Sequence, residues 1–178
     1  MTSHRTAAHA LAGISALVLT VGFLSGCTPE PDPTPTPTAA FASEEEAFAA
    51  AEEVYRAYNE AADSATSNAD EFLTGTALEE YLEGAQYLSA NGLTLGGVTK
   101  VVSFVGKSAD VSGEVARISA EACVDLSQST VLDSSGANVT PTERADGWRF
   151  ALTFIGDGNT LVIDTSSGAE DPSCVPVS

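Results

Sequence analysis

The most regular pattern in the chain is an apolar stripe at helical spacing. Phe48, Ala51 and Tyr55 recur every three to four residues, and Tyr58 extends the same face. Within Ser43–Glu46, the serine and the third glutamate stand three residues apart, which is the arrangement of a capping box. The pattern therefore predicts an amphipathic helix that begins at this serine.

A second helix is predicted from Thr76 to the Asn91-Gly92 pair. Glu79 stands in the capping-box position relative to Thr76, and an Asn-Gly pair is typical of a helix C-terminus. The apolar positions of this helix are Leu78, Tyr81, Leu82, Ala85 and Leu88.

After the second helix, the period changes from helical spacing to alternation, which indicates strands. The clearest strand is Glu114–Leu126, and Trp148–Asp164 reads as a hairpin with Asp157-Gly158 as its tight turn. Val98–Gly106 is a further strand, and Ser127–Gly147 holds a weak strand plus a loop. We therefore predict an α+β fold with N-terminal helices packed on a curved, mainly antiparallel β-sheet.

A different apolar pattern occupies the first 26 residues, where Arg5 precedes the continuous run Ala10–Leu24. This run has about the length of a signal-peptide core and is shorter than the roughly 20 residues of a membrane-spanning helix. It ends at Leu24–Cys27, LSGC, which resembles the lipobox of bacterial lipoproteins. The resemblance implies cleavage between Gly26 and Cys27, a lipid on the Cys27 sulfur, and a lipid-anchored, secreted protein at the extracytoplasmic face of the bacterial cell membrane.

Three segments follow from these patterns: a signal peptide over residues 1–26, a linker over 27–40, and a single domain with a C-terminal tail over 41–178. The linker alternates Thr and Pro, which favours extended polyproline II geometry. We expect it to act as a passive tether, although a Thr/Pro-rich segment can also carry O-linked glycans or bind cell-wall polymer.

The order of two helices and then strands, with Asp146-Gly147-Trp148 before a late strand, is similar to the nuclear transport factor 2-like, or cystatin-like, superfamily. The resemblance covers about Ala42 to Asp164 and implies a cone between the helices and the sheet. Small lipoproteins of this superfamily are common in Gram-positive bacteria, and its isomerases and hydrolases use a buried acid in the cone with a tyrosine or a second acid. The region from Asp63 to Leu95 departs from the superfamily pattern, so the strand order stays open.

Composition then restricts the chemistry. No histidine follows Gly26, which removes the imidazole on which Ser-His-Asp and Cys-His catalysis and most protein zinc sites depend. We therefore predict no catalytic residues, no metal site and no cofactor. Six basic and 25 acidic residues follow Gly26, a net charge of about −19, so nucleic acid is a poor partner, whereas cations, basic peptides and neutral ligands remain compatible.

The carboxylates lie mostly on outward faces, as Glu121 and Asp125 do on their strand. The candidate pocket residues lie on inward stripes and are either core or the wall of a pocket: Tyr55, Tyr58, Tyr81, Trp148 and Phe150. The leading hypothesis is a binding or scaffolding domain without catalysis, whose partner is an envelope protein or a small apolar ligand. The alternative is a small-molecule-binding or isomerase-like enzyme that uses an inward carboxylate and a tyrosine.

Three cysteines are an odd number for an exported chain, but assigning Cys27 to the lipid leaves Cys123 and Cys174 as one pair. Cys123 lies on the outward face of its strand, and Cys174 lies in the C-terminal tail. We predict a disulfide that ties the tail to the sheet, since an exported protein meets an oxidising environment. Two buried, inert thiols are the alternative.

Overall fold

A computed structural model describes residues 38–64 and 68–176 of the chain. The predicted signal peptide, Cys27 and most of the predicted linker lie outside these residues. The described elements are α1 (Glu44–Ala62), a 3-10 turn (Ala69–Phe72), α2 (Gly75–Ala90), β1 (Thr94–Gly97), β2 (Lys100–Asp110), β3 (Ala116–Asp125), β4 (Ser129–Leu132), β5 (Gly147–Gly156), β6 (Val162–Glu170) and a second 3-10 turn (Pro172–Cys174).

Helix α1 begins where the capping pattern predicts. The Ser43 hydroxyl accepts a hydrogen bond from the Glu46 amide at 3.2 Å, whereas the Glu46 carboxylate accepts from the Ala42 amide at 2.9 Å and not from the Ser43 amide. Small residues on its inner face bring α1 close to the sheet, so close that a Cβ on Gly106 of β2 would overlap the Phe48 ring. Helix α1 therefore rests directly on β2.

The predicted start of α2 at Thr76 is wrong, because the helix begins at Gly75 after Thr74. The Thr74 amide donates to the carbonyl oxygen of Ile163 at 2.8 Å, which fixes the entry of the helix against β6. The Thr76 hydroxyl donates to the carbonyl oxygen of Asp164 at 3.4 Å, so it contacts β6 and makes no capping box with Glu79. The contact of Thr74 and Thr76 with β6 therefore determines where α2 begins, and the capping pattern of Thr76 and Glu79 does not.

The main sheet has the strand order β2-β3-β5-β6, with every neighbouring pair antiparallel. The pairing of β2 with β3 shifts register twice, between Val101 and Ser103 and between Gly106 and Ser108. The alternation predicted for the central strand is confirmed, since the helix-facing residues of β3 are all buried: Ala116, Ile118, Ala120, Ala122 and Val124. The sheet and the two helices make the two layers of the α+β fold.

The hairpin of β5 and β6 is present, but the prediction of a two-residue turn at Asp157-Gly158 is wrong. Residues 157–161 connect the strands. The Asp157 carboxylate accepts from the amides of Asn159 and Thr160, at 2.8 and 2.9 Å, and this side-chain bonding closes a wider turn. Strand β6 also continues to Glu170, beyond the predicted end at Asp164.

A second, two-stranded sheet joins β1 to β4 in antiparallel register. β4 is the weak strand predicted within Ser127–Gly147, and it pairs outside the main sheet. Neither helix in the described ranges has the length and apolar character needed to cross a bilayer.

Candidate functional site

The three tyrosines of the candidate pocket lie on the two helices that face the sheet, and Tyr55 belongs to an aromatic cluster in the core. Tyr55 is only 3% exposed, and its ring lies 6.3 Å from that of Tyr58 and 6.1 Å from that of Phe104. Phe104 in turn meets Phe154 edge to face at 6.1 Å. The space next to Tyr55 is therefore filled by aromatic rings. Sequence reasoning missed Phe104 as a partner of the tyrosines. Strict alternation places it on the face of the exposed Lys100 and Val102, and the register shift between Val101 and Ser103 turns it inward.

The other two candidate pocket residues form a separate pair on β5. The rings of Trp148 and Phe150 stack with their centres 6.2 Å apart, and both residues are half-buried. The Trp148 indole donates to the carbonyl oxygen of Ala145 at 3.1 Å, and the Phe150 ring covers Gly168 on β6. Both residues contact the strand next to them or the loop before β5, so their role here is to pack β5 against its neighbours.

The hydroxyls of Tyr55 and Tyr58 are unsuited to act as bases. Burial raises the pKa of the Tyr55 hydroxyl well above its usual range, and the Asn59 side chain, which lowers that pKa, does not offset the effect. Burial also raises the pKa of Tyr58, and the nearby Tyr81 adds to it. Asn59 is itself buried and donates to the carbonyl oxygen of Tyr55 at 2.7 Å. The polar neighbour of Tyr55 is thus a neutral amide.

The two carboxylates of β3 differ in their surroundings. Glu121 faces outward as predicted and pairs with Lys107 at 2.7 Å, a hydrogen bond that lowers the pKa of the carboxyl. Asp125 was also predicted to be outward and exposed, but it is only 9% exposed. The chain reverses after Leu126 and folds over Asp125, whose carboxylate accepts from the Ser127 amide at 2.9 Å. This hydrogen bond and the nearby Lys100 lower the Asp125 pKa, so the carboxyl stays ionised.

The C-terminal tail is fastened to the outer face of the sheet through a disulfide between Cys123 and Cys174, whose Cα atoms are 5.1 Å apart. Cys123 is only 8% exposed, because the tail covers the outward face on which the sequence places it. Asp171 caps the 3-10 turn before Cys174 by accepting from the Ser173 amide at 3.0 Å, and it also pairs with Arg149 at 2.7 Å. The Ser173 hydroxyl and the Arg149 guanidinium both lower the pKa of Asp171.

An open cleft of about 400 Å³ lies where β2 begins and β3 ends. Arg56 reaches its rim from α1, donating to the carbonyl oxygen of Val101 at 3.1 Å while it pairs with Glu52 at 2.7 Å. Of the two cations of the cleft, Arg56 is thus already paired with Glu52, and Lys100 lies near enough to Asp125 to contribute to its lowered pKa. The lining residues are Arg56, Val98, Thr99, Lys100, Val101, Asp125, Ser127 and Gln128. Within the described ranges, no group of three His, Cys, Asp or Glu side chains is placed to hold a metal ion.

Exposed apolar side chains concentrate in α2 and the segment that follows it. Leu82 and Tyr87 on α2 are 52% and 63% exposed, and Leu95 and Val98 are similarly open to solvent. Helix α2 contains one fully buried residue, Ala77, although it is 16 residues long. This region is an exposed surface of mixed apolar and acidic character.

No protein-family model matches the chain, and no curated protein matches it in sequence. One solved structure with a related arrangement is the crystal structure of the intermembrane space region of the chloroplast protein ARC6. The two superpose with a TM-score of 0.49 and 13% sequence identity, over 70% of this chain and 97% of that chain. A likeness at this level assigns no function.

Proposed function

We propose that the chain is a lipid-anchored domain at the extracytoplasmic face of the bacterial cell membrane, where it binds or scaffolds other components of the envelope. The observation that carries the proposal is the use of its cysteines. Cys27 completes the LSGC sequence after an apolar leader, and the remaining two cysteines are joined to each other. A disulfide of this kind fits an oxidising compartment outside the cytoplasm.

The packing of the interior favours binding at the surface of the domain and disfavours acid–base catalysis in a cavity between the helices and the sheet. Aromatic rings occupy the space around Tyr55, and the polar group beside it is the Asn59 amide, which does not ionise near neutral pH and so cannot act as a general acid or base. A general acid or base in the superfamily manner requires a carboxylate at such a position. The nearly buried carboxylate of Asp125 lies instead at the end of β3, beside Lys100.

The anchor is tested by Cys27→Ser in the full chain, expressed in a bacterial host and grown with a radiolabelled fatty acid. We expect the variant to lose the label and to accumulate as unprocessed precursor or in the medium. Thr28→Ser is the matched control, and it should remain labelled and in the membrane fraction. A processed, labelled and membrane-bound Cys27→Ser protein contradicts the proposal.

The absence of catalysis is tested separately with the purified chain and a panel of steroid-like, ester and epoxide substrates. We expect no turnover above that of the buffer. Turnover that Tyr55→Phe or Tyr58→Phe abolishes, while the fold is retained by circular dichroism, would contradict the binding function and favour the isomerase-like alternative.

A further inference from the structure

The outward face of α2 places acidic side chains between apolar ones. An α-helix turns by about 100° and rises by about 1.5 Å per residue, so Leu82 and Tyr87 lie about 140° apart around the axis and about 7.5 Å apart along it. Glu79 and Glu83 fall within the arc between them, on the side opposite the buried Ala77. We name these four exposed residues, Glu79, Leu82, Glu83 and Tyr87, the α2 outer face.

The acidic charge of this face has no local counterpart. Residues 57–99 contain seven acidic residues and no lysine, arginine or histidine. Elsewhere in the described chain some acids have a basic partner, as Glu52 has in Arg56, Glu121 in Lys107 and Asp171 in Arg149. None of the ion pairs within the described ranges involves an α2 carboxylate. Glu79 and Glu83, four residues apart on one face, therefore repel each other without compensation.

We propose that the α2 outer face binds a cationic amphipathic segment of another envelope protein, with Lys or Arg residues interleaved with apolar ones. The basic groups would lie over Glu79 and Glu83, and the apolar groups would pack on Leu82 and Tyr87. The inference rests on the proposed binding function and adds the surface and the chemistry of the partner.

The negative charge of the domain favours a cationic partner at the α2 outer face over other classes of molecule. A second copy of the chain presents its own large negative charge and contains no cluster of basic residues, so two copies repel each other. Anionic lipid headgroups and nucleic acid are repelled for the same reason. A neutral apolar peptide would leave the two carboxylates unpaired, whereas a cationic one pairs them and covers the exposed leucine and tyrosine in the same contact.

The test uses the full chain purified in detergent and a fluorescein-labelled peptide of about 16 residues, made of Lys-Leu-Ala-Lys repeats. Binding is followed by fluorescence anisotropy at about 0.15 M salt, where long-range attraction is largely screened. We expect Glu79→Gln/Glu83→Gln to weaken binding by about tenfold, since two exposed charge pairs are lost. Leu82→Ser/Tyr87→Ser should weaken it by at least about fivefold through loss of the apolar anchors. A peptide with Gln in place of every Lys should not bind.

The matched control is Glu53→Gln/Glu60→Gln, which removes the same two charges from exposed positions of α1. We expect its affinity to stay within about twofold of that of the unchanged chain, because these charges lie outside the contact. Equal losses in the α1 and α2 variants would mean attraction to the acidic surface as a whole and would overturn the proposal. Binding that neither α2 variant weakens, or no binding by the unchanged chain, would overturn it as well. The fatty-acid labelling of Cys27 does not depend on α2, so failure of the labelling test can be distinguished from failure of the peptide-binding test.

Discussion

The two α-helices of the described residues are of similar length, 19 and 16 residues, yet they pack differently. Helix α1 buries Ala47, Ala51, Tyr55 and Asn59 against the sheet, whereas α2 fully buries Ala77 alone. Helix α1 lies on β2 and β3 and also contacts β6, while α2 lies on β6. An apolar stripe thus predicts that a segment is helical, but the number of strands beneath it determines how much of the stripe is covered.

The two helices also differ in their ion pairs. Arg56 of α1 pairs with Glu52 and binds the Val101 carbonyl, which links the helix to β2. The carboxylates of α2 make no ion pair within the described residues. We therefore expect the α1 side of the domain to carry its stability and the α2 side to tolerate substitution.

Phe154→Ala and Leu82→Ala should differ most in their effect on the free energy of unfolding. Phe154 is fully buried in the core, so its truncation should lower the free energy of unfolding by about 3 to 5 kcal/mol. Leu82→Ala on the exposed side of α2 should change it by less than about 0.5 kcal/mol. Urea denaturation of both variants measures the difference, and losses of similar size would mean that α2 is as well packed as the core.

Removal of the disulfide by Cys123→Ala/Cys174→Ala should lower the free energy of unfolding by up to about 4 kcal/mol, because it frees a loop closed over 51 residues. Reducing agent should destabilise the unchanged domain and leave the double variant unaffected. Two free thiols per chain in the denatured, unreduced domain lacking Cys27 would show that the pair is not bonded in solution.

A matched pair of glycine substitutions should change the free energy of unfolding least, but in opposite directions. Gly106→Ala brings a methyl group into the Phe48 ring of α1 and should cost about 1 to 3 kcal/mol of stability. Gly84→Ala lies within α2, where nothing is within 4 Å of the new methyl group, and should stabilise by about 0.4 to 1 kcal/mol. Thermal unfolding of the two variants should move in opposite directions, and a shift of Gly84→Ala to lower temperature would contradict an open α2.

Features with a local or periodic signal could be predicted from the sequence. The cap at Ser43 depends on residues three positions apart, and the burial of the helix-facing residues of β3 follows from alternation. The pairing of Cys123 with Cys174 followed from the assignment of Cys27 to the lipid, which left one combination.

Features set by distant contacts could not be predicted. β1 and β4 have four residues each, too few for a periodic signal, and their pairing joins segments more than 30 residues apart. The burial of Asp125 depends on a chain reversal that its own strand does not encode. Asn59 did leave a signal, since it is a polar residue four positions after Tyr55 on the inner face of α1, and such a residue indicates a polar partner in the core.

The two register shifts in β2 bear on how copies of the domain meet one another in solution. A regular outer strand is a template for aggregation, because its free amide and carbonyl groups match those of a neighbouring molecule. The shifts near Val102 and Lys107 interrupt that match, and Lys100 and Lys107 place charge on the same strand. Copies of the domain are therefore protected against joining their sheets into an intermolecular β-structure along β2.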